Sequence, residues 1–302
     1  MFVIKYKKIF VTISAVLVLL SVVSVSVWGL DLGIDFKGGS ILEISYPSGR
    51  PEVADVQRGV DELGIGQVSL QSTGDDGYII RAKDLKEPER ESLMSVLSFN
   101  GQIQVEEKRF SSIGPVIGEE LRQKAWIAIV SVIIAIILFI AFAFRKVSKP
   151  VSSWRYGFVA IIALVHDIAI PTGVFAYLGH SFGVEVDTLF VMALLAILGF
   201  SVNDTIVVFD RIRENLNINK ESHKKSEFEN VVGKSLGQTF ARSINTSLTT
   251  LVVLLVLFFL GGETTKFFAL TLSIGVIAGT YSSIFLASPM LVYIEKWQGK
   301  NK

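Results

Sequence analysis

Hydrophobic positions along this chain gather in six long windows, and almost all of the charge collects between them. The windows cover residues 9–28, 125–144, 154–178, 186–209, 244–260 and 267–294. A helix needs about 20 apolar residues to cross the hydrocarbon of a bilayer. Five such runs in succession, joined by short connections, do not fit the buried helices of a water-soluble protein. The first window follows Lys5, Lys7 and Lys8, as a secretory signal would. It exceeds the roughly 7–15 apolar residues of a signal core and ends at Trp28, an interfacial anchor, so it reads as an uncleaved membrane span.

Between the first two windows the period changes. Residues 40–46 alternate, with Ile41, Leu42 and Ile44 apolar, and predict a strand. Residues 51–63 open with Pro51 and carry Val53, Val56, Val60 and Leu63 at helical spacing. A strand over 67–72 turns through Thr73-Gly74-Asp75-Asp76-Gly77 into a strand over 78–82. A second helix over 88–97 puts Leu93, Met94 and Leu97 toward a core, and Gly101 ends it before a strand over 103–109. The order β-α-β-β-α-β is that of a ferredoxin-like α+β domain. The expected layout is therefore an N-terminal span over 1–30, this domain over 31–124 and a five-helix bundle over 125–302.

Charge fixes the expected orientation. Lys5, Lys7 and Lys8, then Arg145, Lys146, Lys149 and Arg155, then the basic residues of loop 210–245 fall on one side by parity. That loop includes Lys224 and Lys225, and Lys296, Lys300 and Lys302 follow in the tail. The short opposite connections, 179–187 and 261–266, carry only Lys266 as a basic side chain besides His180. The positive-inside rule puts both termini and loop 210–245 in the cytoplasm and the ferredoxin-like domain outside it. Connection 113–124 would carry movement between that domain and the bundle.

Composition then removes whole classes of function. Of 302 residues, 50% are hydrophobic and the net charge is only +1, so no field favours nucleic acid. With no cysteine there is no disulfide, thiolate metal site or cysteine nucleophile. No GxxxxGK[ST] run is present to cradle a nucleotide, and no catalytic set, metal or cofactor is expected. Asp75, Asp76, Glu106 and Glu107 read as solvated turn and strand residues.

The remaining candidates are polar residues inside apolar windows. An Asp, Lys or Arg at the centre of a membrane helix costs about 2.5–3.5 kcal/mol, and those retained tend to mark ion or substrate paths. The third window holds His166 and Asp167, and Pro171 deprives the Asp167 carbonyl of its helical donor. Either this pair takes part in proton movement, or Asp167 ties a kinked helix to a neighbour. The fourth window holds Ser201, Asn203 and Asp204, with Ser201, Asp204, Val208 and Arg211 on one helical face. A carboxyl removed from water favours its neutral form, which suits Asp204 to loading and releasing a proton. The competing role is a static hydrogen bond. In the fifth window Arg242, Asn245, Thr246 and Thr249 form a polar stripe. Arg242 would hold a nearby carboxyl charged until helix movement withdrew it, or it snorkels to the interface. Gly275 and Gly279 make a small-residue face for close helix packing, with Ser282 and Ser283 beside it.

Four segments carry a family resemblance. Asp35-Phe36-Lys37-Gly38-Gly39 resembles the DFxGG signature of the SecD and SecF proteins of bacterial protein export. Ile113-Gly114-Pro115-Val116-Ile117-Gly118-Glu119-Glu120-Leu121 resembles their VGPxVGxEL-like segment, with Ile113 and Ile117 in place of valines. The run from Asn203 to Glu214 and Arg242-Ser243-Ile244-Asn245-Thr246-Ser247 are similar to the SecF branch. The resemblance implies a non-enzymatic subunit of the bacterial cytoplasmic membrane, in the resistance–nodulation–division superfamily. It also implies pairing with a SecD-like subunit, work with the SecYEG channel, and use of the proton gradient to draw unfolded exported polypeptides outward. Asp204 and Arg242 would lie on the proton path, and Asp167 matches the family's histidine–aspartate pair. The alternatives are a small-molecule or lipid exporter of the same superfamily and a scaffold that stabilises the translocon without transporting.

Overall fold

The computed structural model describes residues 2–143, 153–222 and 227–300. Phe144, Arg145, Lys146, Lys149, Lys224, Lys225 and Lys302, which entered the span and charge arguments, lie outside those residues. Two compact units result, one of Met1–Asp31 with Ile127–Lys302 and one of Leu32–Trp126.

The smaller unit is built on a four-stranded antiparallel sheet: β1 (Gly39–Ser45), β2 (Ser69–Thr73), β3 (Gly77–Ala82) and β4 (Glu106–Ile113), in spatial order β2-β3-β1-β4. Helices α4 (Val53–Glu62) and α5 (Glu87–Leu97) complete the ferredoxin-like order. Strand alternation explains the core: Leu42, Ile44, Tyr78 and Ile80 point to one face and meet Val56, Val60, Leu93 and Leu97 from the helices. A bulge between Glu43 and Ile44 in the β1–β4 pairing lets Lys108 pass without a ladder partner.

Two boundaries differ from the sequence expectation. Pro51 does not open α4, because its carbonyl is occupied by the Tyr78 hydroxyl at 2.6 Å and the helix begins at Val53. The last strand starts at Glu106 rather than 103. Phe99 and Asn100 already adopt left-handed backbone before Gly101, and the Ile103 amide closes the turn onto the Ser98 carbonyl at 3.0 Å. Residues 101–105 are thereby used to leave α5 and are not free to pair with β1.

The larger unit is helical. Short α1 (Phe2–Lys5) precedes α2 (Lys7–Trp28), and after β4 come α6 (Pro115–Ala143), which begins within the smaller unit, then α7 (Ser153–Phe182), α8 (Thr188–Glu221), α9 (Phe228–Leu260) and α10 (Glu263–Tyr281). A π-helical stretch, Ser282–Ala287, joins α10 to α11 (Ser288–Lys300). Among the described residues six helical segments are long and apolar enough to cross a membrane.

Helix extends beyond the apolar windows in three places. The connection expected over 113–124 is mostly helix, since α6 starts at Pro115 and includes Glu119, Glu120, Arg122 and Lys124. Most of the loop expected over 210–245 is helix as well, as the end of α8 and the start of α9. His180 belongs to α7, where its ring stacks on Trp28 at 5.3 Å, rather than to a loop.

Close approach is bought with glycine at two seams. A Cβ on Gly173 would stand 2.4 Å from Ser21 Cα, so α7 and α2 meet backbone to backbone, and the Ser24 hydroxyl donates to the Gly173 carbonyl at 2.6 Å. A Cβ on Gly275 would stand 2.2 Å from Ile197 Cδ1, so the small-residue face of α10 packs on α8. One end of the bundle closes around Tyr156, Phe209, Phe228 and Leu236, and α1 adds buried Val3 and Ile4 to that cluster. Glu229 at the start of α9 pairs with both Lys7 and Lys296, fastening the N-terminal helices and α11 to α9.

Candidate functional site

Two carboxyls lie buried in the helical unit, and each is satisfied by hydroxyls from neighbouring helices. Asp204 of α8 is 8% exposed. Its Oδ1 accepts from the Ser243 hydroxyl of α9 at 2.6 Å, and its Oδ2 accepts from the Ser283 hydroxyl of the π-helical stretch. Asp167 of α7 is completely buried. Its Oδ2 accepts from the Ser282 hydroxyl at 2.8 Å and from the Ser201 hydroxyl of α8. Its Oδ1 lies 2.8 Å from His166 Nδ1. His166 Nε2 is buried with no hydrogen-bond partner among the described residues, and its ring lies parallel to Tyr281, centroids 6.2 Å apart.

The helical period explains why one stretch of chain reaches both acids. Adjacent residues on any helix point to different sides of its axis, so Ser282 and Ser283 face different neighbours, α7 and α8. Gly279, one turn earlier, holds α8 close: its Cβ would stand 3.0 Å from Ser201 Cβ. The π-helical turn begins at Ser282, and the Ser288 hydroxyl donates to the Ser283 carbonyl five residues back at 3.1 Å. Such turns interrupt the regular ladder and often sit at functional sites.

Arg242 is the residue before Ser243 and points elsewhere. Asp204, Arg242, Asn203, Phe200, Val207 and Thr246 line a cavity of about 90 Å³ between α8 and α9. A second cavity of about 130 Å³ continues from Val207 and Arg242 to Asp210, Arg211, Glu214 and Gln238. Among the described residues no ion pair joins Arg242 to Asp204. Arg211 pairs with Glu214 at 2.9 Å and Arg213 with Asp210, a charged helix end.

The residues singled out in the sequence are thus only partly brought together. Ser201, Asp167 and His166 are buried in one hydrogen-bonded cluster and Asp204 in a second, the two meeting at adjacent Ser282 and Ser283, and Asn203, Arg242 and Thr246 edge the cavity beside Asp204. Asn245 and Thr249 lie on the exposed face of α9, outside both clusters. Ser243, Ser282 and Ser283 supply the acids' hydrogen bonds and were not singled out as site residues. Two adjacent serines inside an apolar window, and Ser243 with Ser247 at i, i+4, were the available signals.

The glycine-rich segments form a joint in the smaller unit. Short helix α3 (Ile34–Lys37) buries Phe36 and carries Asp35 in its first turn. Gly38 takes φ +76°, and a Cβ there would stand 2.8 Å from Pro115 Cα. A Cβ on Gly39, at φ +132°, would stand 2.8 Å from the Ala82 carbonyl oxygen, and one on Gly118 would stand 2.8 Å from the Gly38 nitrogen. The Gly118 amide donates to the Gly114 carbonyl at 3.1 Å, starting α6. These residues set backbone packing, not chemistry.

Comparison with known proteins gives a consistent picture. The model of the protein export membrane protein SecD/SecF C-terminal family matches residues 94–297, and the SecD/SecF GG motif matches residues 24–46. The chain is 42% identical to the protein translocase subunit SecF of Thermobaculum terrenum, covering 99% of this chain and 94% of that one. It is 39% identical to SecF of Anaerolinea thermophila, covering 97% and 94%. The crystal structure of SecDF, a translocon-associated membrane protein from Thermus thermophilus, superposes with a TM-score of 0.83 at 31% identity. That match covers 97% of this chain and 38% of the SecDF chain, so this chain spans well under half of that protein.

Proposed function

Because the chain belongs to the SecD/SecF family of protein-export membrane proteins, in its SecF branch, we propose that it is a proton-driven accessory subunit of the bacterial Sec translocase. It sits in the cytoplasmic membrane with both termini and residues 210–245 inside and residues 31–124 outside. It works with a SecD-like subunit and the SecYEG channel on unfolded exported polypeptides. The proton path runs through Asp204 and Arg242, with Asp167 beside them.

The observation that carries this reading is Asp204 itself. A carboxyl sits inside an apolar helix, held by two serine hydroxyls rather than by a cation, next to a cavity that contains Arg242. Hydroxyls can solvate either protonation state, whereas a fixed ion pair would lock the acid charged. The partner reading rests on exposure. Arg242, Asn203, Asn245, Thr246 and Thr249 all lie on the open side of α8 and α9, and α6 is almost wholly uncovered. Polar groups in lipid need partners, which helices of a second subunit supply.

The available energy suits the task. One charge crossing the membrane releases about 2.3 kcal/mol per 100 mV, a bias of about fifty-fold between two poses of a moving domain. Asp204→Asn, checked for stable insertion, should slow the clearance of exported precursors in cells. Precursors clearing at the wild-type rate would reject proton coupling and favour a scaffold.

A further inference from the structure

Both serines of the π-helical stretch have two acceptors within reach. The Ser283 oxygen contacts Asp204 Oδ2 and also lies 3.0 Å from the Thr280 carbonyl. The Ser282 oxygen lies 2.8 Å from Asp167 Oδ2 and 3.1 Å from the Gly279 carbonyl. A hydroxyl has one hydrogen and two lone pairs, so it can donate to only one of these at a time.

That geometry has a specific consequence for a group that changes protonation. Facing a carboxylate, the serine donates to it. Facing a carboxylic acid, the serine accepts the acid's O–H and turns its own hydrogen to the carbonyl one turn back. No bond is broken and no proton passes through the serine. The added proton stays on the aspartate, and the hydroxyl rotates about its Cβ–Oγ bond.

We infer that Ser282 and Ser283 are positioning residues that give Asp167 and Asp204 a hydrogen bond in both protonation states, and so tie the loading of both acids to one π-helical segment. The inference rests on the proton-carrying reading of Asp204 and adds the residues that tune it. Ser201 and Ser243 differ from this pair: their hydroxyls donate to the acids with no alternative carbonyl acceptor among the described contacts. The groups facing the pair are known from each packed element. They are His166 and Asp167 from α7, Asp204 from α8, Arg242 from α9 beside Asp204, and Tyr281 against His166. Ser282 and Ser283 are adjacent, so a reset of the π turn would displace both hydroxyls together. Neither acid could then change its donor without the other feeling it.

The test is an infrared titration of the full-length chain in lipid, following the carboxylic C=O stretch against pH. The band lost in Asp204→Asn belongs to Asp204. Ser283→Ala and Ser283→Cys remove or weaken a donor to the charged form, which should move that band's midpoint to higher pH by about one to two units. Ser283→Thr keeps the hydroxyl and should restore the wild-type midpoint. A serine that only fills space would leave the midpoint in place with Cys, which overturns the inference while the band itself still titrates. If Asp204→Asn removes no titrating band, the proton-carrying reading fails first, and the serine inference with it. Should Ser283→Ala fail to insert, the Cys and Thr pair decides alone.

Discussion

The Ser243 hydroxyl on α9 donates to Asp204 Oδ1 on α8 at 2.6 Å, and the bond crosses a seam that Asn215 also bridges nearer the helix ends, donating to Ser235 at 2.8 Å and Gln238 at 2.7 Å. The preceding residue, Arg242, lies on the cavity side of the same seam. One turn of α9 therefore presents a neutral donor to the acid from within the bundle and a cation from its edge.

Ser243→Ala should weaken the α8–α9 contact modestly. Interhelical hydrogen bonds in membranes contribute about 0.6–1.7 kcal/mol, so a loss of about 1 kcal/mol is expected in the unfolding equilibrium of the chain in mixed micelles. Asp204 keeps its Ser283 donor, so the variant should insert and fold. A loss above about 3 kcal/mol would mean that Ser243 supports more than this bond.

Gly38→Ala should damage the smaller unit more than Gly49→Ala. Both positions have positive φ, which costs an L-residue about 1–2 kcal/mol. The Gly38 Cβ would also stand 2.8 Å from Pro115 Cα, whereas that of Gly49 meets nothing within 4 Å. Overpacking adds about 1–3 kcal/mol. Limited proteolysis of the two full-length variants checks the order, with cleavage within residues 32–126 expected first in Gly38→Ala.

The hydropathy pattern held enough to locate every long helix, because lipid-facing helices must be continuously apolar. It could not locate their true ends. Glu119, Glu120, Arg122 and Lys124 are polar yet good helix formers, so α6 runs through them outside the apolar window. The β-α-β-β-α-β order was readable from the change of period, with the last strand displaced because Phe99 joins Asn100 in left-handed backbone; Asn-Gly marks a turn there, but no residue type announces the left-handed Phe99. Asp204 and Asp167 stood out because a carboxyl in an apolar run is costly. Their donors Ser243, Ser282 and Ser283 did not, because a serine in a membrane helix costs little and its partner depends on which helices meet. The polar stripe on α9 was visible, but the direction of Ser243 opposite to Asn245 and Thr249 is a tertiary fact.

Tyr46 should titrate well above an ordinary tyrosine. Burial, and then the neighbouring Tyr78, push its hydroxyl up to about 12 from a usual value of 10.0. That hydroxyl donates to the Leu97 carbonyl at 3.1 Å, tying β1 to the end of α5. The folded form holds the proton more tightly than the unfolded form. Its contribution is therefore complete below pH 10 and disappears as pH rises from about 10 to 12. Two units correspond to about 3 kcal/mol of lost stability. Tyrosinate absorbance of the full chain checks this: Tyr46→Phe should remove a step near pH 12.

Proton flux into proteoliposomes, with the chain reconstituted beside its SecD-like partner under an imposed membrane potential, tests the central claim most directly. Wild type should admit protons, Asp204→Asn should admit none above the protein-free leak, and Arg242→Gln should fall between them. An Asp204→Asn flux equal to that of wild type would contradict the account, because the protons would then be carried by some group other than Asp204.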